Sequence, residues 1–282
     1  MRNLISAIFA RLFKGKLFWV TMIVALGFAA LATGMRVYES NVLLEPGYDT
    51  PDGLLFLGAL YLVVIVAVFD ALFIGNEHAD GGFRNQLAVG YTKIQVYMAY
   101  LIVSGVAVLL IHLAYIAVVL GIAVPFLSPF QVPASVNVVL FFCSLFAAVA
   151  LNSLMVWLCM LISNKATVVA ACMLLAIALL VGGMAVHTML SEPEFYRMSG
   201  VTTVDGVILS TPQTYPNPDY LTGTKRTVIQ FFQDFWPSGQ MVTISTAKEL
   251  PAHVWCLPVY SVVFTVLVTL GGAVIFRRRD LK

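Results

Sequence analysis

The sequence predicts an all-α polytopic membrane protein with six transmembrane helices. Three observations carry that prediction. Of the 282 residues, 60% are hydrophobic and only 11% are charged, whereas soluble domains carry about 25% charged residues. The apolar residues gather into long runs, and a run of about 20 residues crosses a bilayer as a helix. Between these runs, Lys and Arg fall mostly on alternate connections, as they do in proteins threaded through a membrane. The mean hydropathy of +0.93 agrees.

Residues 1–16 read MRNLISAIFARLFKGK. On a helical wheel Leu4, Ile5, Ile8, Phe9, Leu12 and Phe13 share one half, while Asn3, Ser6, Arg11 and Lys14 share the other. That is the pattern of an amphipathic helix lying in the headgroup plane, basic face toward anionic lipid. The predicted spans cover residues 17–38, 53–74, 94–127, 136–162, 167–190 and 254–276. The third exceeds what one bilayer needs and is expected to tilt or to project. Spans one to five, with the segment 75–93, make up residues 17–190. Residues 253–282 hold span six and a basic tail.

Between spans five and six, residues 191–252 contain six acidic and four basic side chains and six of the twelve prolines. This is expected to be a large, at least partly folded loop. Val201–Leu209 and Met241–Thr246 read as β-prone pieces. Gln230–Trp236 reads as an amphipathic interfacial helix.

The polar segment 75–93, between spans two and three, is unlike a plain hairpin turn. It opens with Glu77 and Asp80 and closes with Lys93. Phe83, Leu87 and Tyr91 recur at four-residue steps, which places them on one helical face. A solvated loop needs no apolar stripe. A short helix here is therefore expected to dock on the membrane surface, on the rest of the chain or on another protein.

Six spans put both termini on one side. The N-terminal stretch, segment 75–93, the turn at 163–165 and the C-terminal tail hold eleven of the sixteen Lys and Arg residues, against Glu77, Asp80 and Asp280 among the acids. The positive-inside rule makes that side cytoplasmic and puts the 191–252 loop outside.

Several function classes lack their signatures. No GxxxxGK[ST] cradle for nucleotide phosphates occurs, nor HExxH, nor GxSxG. The four cysteines, Cys143, Cys159, Cys172 and Cys256, show no metal-like spacing and read as small buried hydrophobes. The basic residues sit where topology requires them and suggest no nucleic-acid partner. Ionisable residues inside spans are functional candidates. Asp70, near the inner end of span two, is expected to line a vestibule or to pair with Lys93 or Lys165. His112 in span three reads first as a hydrogen-bonded packing residue and second as a proton relay. Asn152 in span four can hold helices together.

The 75–93 segment also carries a resemblance. Gly75-Asn76-Glu77, then Gly82-Phe83-Arg84-Asn85-Gln86-Leu87, then Gly90, is similar to the G-x-E…G-x-x-R-N-x-L…G stretch before the third span of ABC-2 class permeases. The tail Phe276-Arg277-Arg278-Arg279-Asp280-Leu281 resembles a common ending of the same family. The chain thus looks like the transmembrane subunit of an ATP-binding cassette exporter, nearest in character to bacteriocin, lantibiotic and bacitracin-type export and immunity permeases. The resemblance implies that residues 1–16 form an elbow helix and that Glu77–Tyr91 forms a coupling helix. Glu77, Asp80, Phe83, Arg84, Asn85, Leu87 and Tyr91 would contact a separate ATPase subunit, present in two copies, which binds ATP and Mg. No cofactor would be held by this chain. A second permease subunit, identical or related, would complete the complex in a bacterial inner membrane. The cargo implied is amphipathic: a peptide antibiotic or toxin, a lipid-like compound or a hydrophobic drug. The long 191–252 loop departs from the family's shorter outer connection. Two other readings stand beside this one: an ion-coupled secondary transporter using Asp70 and His112, and a non-transporting membrane sensor or assembly protein.

Overall fold

In a computed structural model the chain is described over residues 1–44, 50–204 and 207–278, without the side chains of 197–213. The helices among these residues are α1 (Arg2–Lys14), α2 (Lys16–Asn41), α3 (Leu57–Ala79), α4 (Gly82–Ala88), α5 (Lys93–Phe126), α6 (Ala134–Leu161), α7 (Lys165–Ser191), α8 (Gly223–Phe235), α9 (Pro237–Thr246) and α10 (Cys256–Arg278). Strands β1 (Phe195–Val204) and β2 (Val207–Pro216) pair as an antiparallel hairpin between α7 and α8. Six helices, α2, α3, α5, α6, α7 and α10, are long and apolar enough to cross a membrane. The chain is thus an all-α multi-pass membrane protein, as its hydropathy predicts. Glu45 and Asp49 of the first acidic connection, and residues 279–282 of the basic tail, lie outside the described residues.

The most enclosed spanning helix is α3. In its most apolar stretch 61% of residues are buried inside the bundle, against 22% in α2 and in α10. It packs on α2, α5, α6, α7 and α9, while α10 lies outside against α5 and α6. The order follows from side-chain character. Helix α3 carries small residues, Gly58, Ala59, Ala67 and Ala71, on its buried surface, and small residues let helix backbones approach closely in lipid. Helices α2 and α10 leave Ile23, Leu31, Leu267 and Leu270 exposed where a bilayer would cover them.

We call the end of the bundle that holds α1 and the close of α10 the terminal end. Helix α1 lies across it with Leu4, Ile8 and Leu12 buried against the bundle and Ile5 and Phe9 partly so. The predicted apolar half is thus the packed half, although Phe13 remains exposed. Helix α5 is one unbroken helix of 34 residues, about 50 Å at 1.5 Å per residue. Its start carries a signal the spacing analysis passed over: Thr92 accepts from the Gln95 N–H while Gln95 answers the Thr92 N–H, a capping box. At the opposite end, both oxygens of Asp52 accept N–H groups of the α5–α6 connection, from Gln131 (2.8 Å) and Val132 (3.1 Å).

The β-prone reading of Val201–Leu209 holds for 201–204, in β1, and 207–209, in β2, while residues 205–206 lie outside the described residues. One other expectation for residues 191–252 needs correction. Met241–Thr246 is helical, as part of α9. Its β-branched residues follow Pro237, which suits a first helical turn, and tertiary contact settles the rest. Gln230–Phe235 falls in the amphipathic α8, and Trp236 closes it.

Helices α8 and α9 form a hairpin in the half of the bundle away from the terminal end, with α9 the enclosed arm. Arg226 near the start of α8 donates to the Leu190 carbonyl at the end of α7 (3.1 Å). Thr246 at the end of α9 meets His187, also near that end (3.1 Å). Between them the chain reverses at Trp236, which packs on Phe264, and Gly183 of α7 lies against Ser238 and Gly239. Gly183 and Phe264 each stand eight residues inside their helix ends, about 12 Å at 1.5 Å per residue. Both markers give the reversal the same depth. Irregular backbone at such depth is tolerated only when protein encloses it, and α9 is almost wholly buried among α3, α6 and α7.

Candidate functional site

At the terminal end, α3 runs on to Ala79 and therefore includes Glu77. The predicted Glu77–Tyr91 helix is instead the last turn of α3, a break at Asp80-Gly81, the seven-residue α4, and a turn holding Tyr91. Two glycines shape the break. Gly81 has φ +69°, a left-handed conformation that costs a side-chain-bearing residue about 1 kcal/mol or more. Gly82 faces the Glu77 carboxylate so closely that a Cβ there would collide with it.

Glu77 is nearly buried and makes an ion pair with Arg11 of α1, whose Nη1 donates to both carboxylate oxygens. The carboxylate raises the Arg11 pKa above its usual value, against the lowering effect of burial. One salt bridge thus ties the surface helix α1 to the point where α3 gives way to α4. About half of the Arg11 side chain is exposed (52%), so the pair itself adds only about 1 kcal/mol or less. Leaving Glu77 unpaired in its near-buried place costs more. We therefore expect Arg11→Ala to destabilise the protein by about 1–2 kcal/mol. Glu77→Gln in the Arg11→Ala background should restore part of that loss, read as thermal unfolding of the four proteins of a double-mutant cycle.

The apolar stripe expected on the surface of this segment points inward. Phe83 is 2% exposed and packs edge-on against His78, Tyr100 and Phe276. Leu87 and Tyr91 are partly buried against the same core. Gln86 donates to the Tyr100 hydroxyl (2.7 Å). Of the three docking surfaces the stripe allowed, the rest of the chain takes it, because α4 is short and the ends of α5 and α10 present an aromatic pocket beside it. What α4 turns outward is Arg84, Asn85, Ala88 and Val89, with Val89 77% exposed. Asp80, at the break, is exposed.

The interior candidates separate. Asn152 accepts from Ser104 (3.0 Å) and donates to the Leu101 carbonyl (3.4 Å), joining α6 to α5. His112 meets Ser144 across the same pair of helices (2.9 Å). Both make interhelical contacts of the expected gluing kind. Asp70 is fully buried; the Ser104 hydroxyl stands beside it but donates to Asn152, and among the described residues neither Asp70 carboxylate oxygen has a hydrogen bond of ordinary geometry. The expected pairing with a lysine does not occur: Lys93 reaches the Arg277 carbonyl (3.3 Å) and Lys165 lies beside Gly75. Cys159 and Cys172, whose sulfurs are 3.5 Å apart, are buried too.

A second polar cluster lay beyond the sequence reading. A cleft of about 390 Å³ between α8 and α10 is lined by Arg226, Gln230, Asp234, His253 and Tyr260. Burial raises the Asp234 pKa, while the Gln230 hydrogen bond and the nearby His253 pull it back. No protein-family model matches the sequence, and no curated protein is detectably similar to it.

Proposed function

We propose that the chain is the membrane-spanning permease subunit of an ATP-driven exporter, working with a separate ATPase that docks on the outward face of α4. The observation that carries this reading is the construction of that helix. It is clamped to the bundle by Phe83, by the Gly81-Gly82 break and by the Arg11–Glu77 pair. Yet it exposes a small surface with an apolar centre, Ala88 and Val89, and a polar rim, Arg84 and Asn85. A helix so anchored passes a push from outside directly to α3 and α5. The chain has no phosphate-binding cradle, so the ATP and Mg would be bound by the two partner ATPases. A second permease subunit would complete the complex, both termini would face the bacterial cytoplasm, and the cargo would be amphipathic.

Purification of the tagged chain from its native membranes in mild detergent tests this. A stoichiometric soluble partner carrying GxxxxGK[ST] is expected. Recovery of the chain alone, under conditions that hold transport ATPase complexes together, would count against the proposal.

Asp70 supports a second reading, ion-coupled transport, because a fully buried carboxyl in no ion pair among the described residues is an expensive feature to keep. Asp70→Asn separates the two. An ATP-driven exporter is expected to keep its transport and to unfold at the same or a higher temperature. Proton flux abolished by Asp70→Asn would favour ion coupling instead.

A further inference from the structure

The polar cleft between α8 and α10 has an acidic floor and a basic rim. Arg226, Gln230 and Asp234 recur at four-residue steps along α8, which sets them in a row on one wall. From Arg226 to Asp234 the row runs about 12 Å at 1.5 Å per residue. Asp234 is only 4% exposed, while Thr227 and His253 at the rim are exposed. Phe231 and Tyr260, edge to face at 5.7 Å, make the apolar part of the wall. One Asp234 oxygen accepts from Gln230 (2.9 Å). The other has no hydrogen-bond partner among the described residues, yet it is open to solvent, unlike the sealed oxygens of Asp70. Arg226 is held by the Leu190 and Leu221 carbonyls and lies over the Tyr220 ring (5.0 Å). Those bonds use two of its five N–H groups.

The cleft sits at the level of the bilayer surface. Arg226 bonds the last turn of the spanning helix α7, and His253 directly precedes the spanning helix α10. Val228 and Phe232 of α8 and Val259 and Val263 of α10 are exposed, as suits helices flanked by acyl chains. A simple cation reaching for Asp234 would meet Arg226 at the mouth. A simple anion held by Arg226 would face Asp234 behind it. A ligand with an ammonium in front and an anion behind matches both charges. A primary ammonium suits the floor, because it brings three donors to a carboxylate oxygen that has none. We propose that this cleft binds the headgroup of a phosphatidylethanolamine-type lipid, its ammonium on Asp234 and its phosphate on Arg226. The site stands whether or not an ATPase docks on α4 at the other end of the bundle.

Three photoactivatable lipids test it, each with a diazirine at the same acyl carbon close to the glycerol: a phosphatidylethanolamine, a phosphatidylcholine and a phosphatidylglycerol. The full chain is reconstituted in vesicles of unlabelled phosphatidylcholine with a minor fraction of one probe, and labelled peptides are mapped by mass spectrometry. The phosphatidylethanolamine is expected to label the stretches around Phe232 and Val259 roughly tenfold more than either of the others, the worth of one hydrogen bond to a charged group. Asp234→Asn keeps an acceptor for Gln230 but removes the charge, and should bring that labelling down to the phosphatidylcholine level. Soluble glycerophosphoethanolamine at the concentration of the probe is expected not to compete. Equal labelling by phosphatidylethanolamine and phosphatidylcholine, stronger labelling by phosphatidylglycerol, or labelling unchanged by Asp234→Asn overturns the proposal. Competition by the soluble headgroup would overturn the membrane source of the ligand. The comparison of headgroups is made on the parent protein, so it decides the matter even if Asp234→Asn does not fold.

Discussion

Phe83→Asp is expected to collapse the terminal end of the protein rather than to leave a folded chain with a broken external contact. Removing a buried phenylalanine side chain costs about 3–5 kcal/mol. Placing a carboxylate among His78, Tyr100 and Phe276 adds the penalty of a buried, unpaired charge. The sum approaches the whole stability of a typical domain. The measurement is the monodisperse fraction of detergent-solubilised protein and its unfolding temperature, and a sharp loss of both is expected. Val89→Asp, one turn and a half away and 77% exposed, should unfold within about 0.5 kcal/mol of the parent, because it buries nothing. A Phe83→Asp protein as stable as the parent would show that α4 is not seated as described.

Gly239→Val carries the second large effect. A Cβ at this position would overlap the Gln233 carbonyl oxygen, and the contact is to backbone, which cannot rotate away. Overpacking of a tight interior costs about 1–3 kcal/mol or more. Relief requires the α8–α9 reversal to open, which would break the Gln233–Gly239 and Gln240–Asp234 hydrogen bonds that close it. The expected outcome is a protein that still inserts, through its six long helices, but unfolds at a temperature lower by several degrees. A cysteine placed at Thr243 should also become reactive to a water-soluble thiol reagent. Gly182→Ala, in open space on the facing helix, is the control and should leave both readings unchanged.

Length and polarity fixed the membrane-spanning helices from sequence alone, because in lipid a backbone must satisfy its own hydrogen bonds and only a helix or a closed barrel does so. The amphipathic halves of α1 were legible for the same kind of reason, since Leu4, Ile8 and Leu12 repeat at helical spacing. What periodicity cannot give is the surface against which an apolar stripe closes. Phe83, Leu87 and Tyr91 read equally well as a docking face and as core, and only the approach of Tyr100 and Phe276 from other helices decides for core. The α8–α9 hairpin was hidden for a related reason. Its two short arms are too polar to resemble a span, with Gln233, Asp234 and Gln240 on them, and those side chains are buried with partners. Gln233 donates to the Gly239 carbonyl, Asp234 accepts from Gln230, and Gln240 donates to the Asp234 carbonyl and accepts from Ser261. The lone Asp70 was visible as an anomaly in span two, but its lack of a partner is a fact of packing.

The outward face of α4 is the point on which the proposed function rests. A photo-cross-linking amino acid introduced at Val89, in cells that express the chain from its native locus, probes that face where it works. The proposal predicts a cross-link to one soluble protein, carrying a phosphate-binding GxxxxGK[ST] motif, that is lost when Arg84 and Asn85 are both changed to glutamate. Cross-links to lipid alone would place α4 on the membrane surface and contradict it.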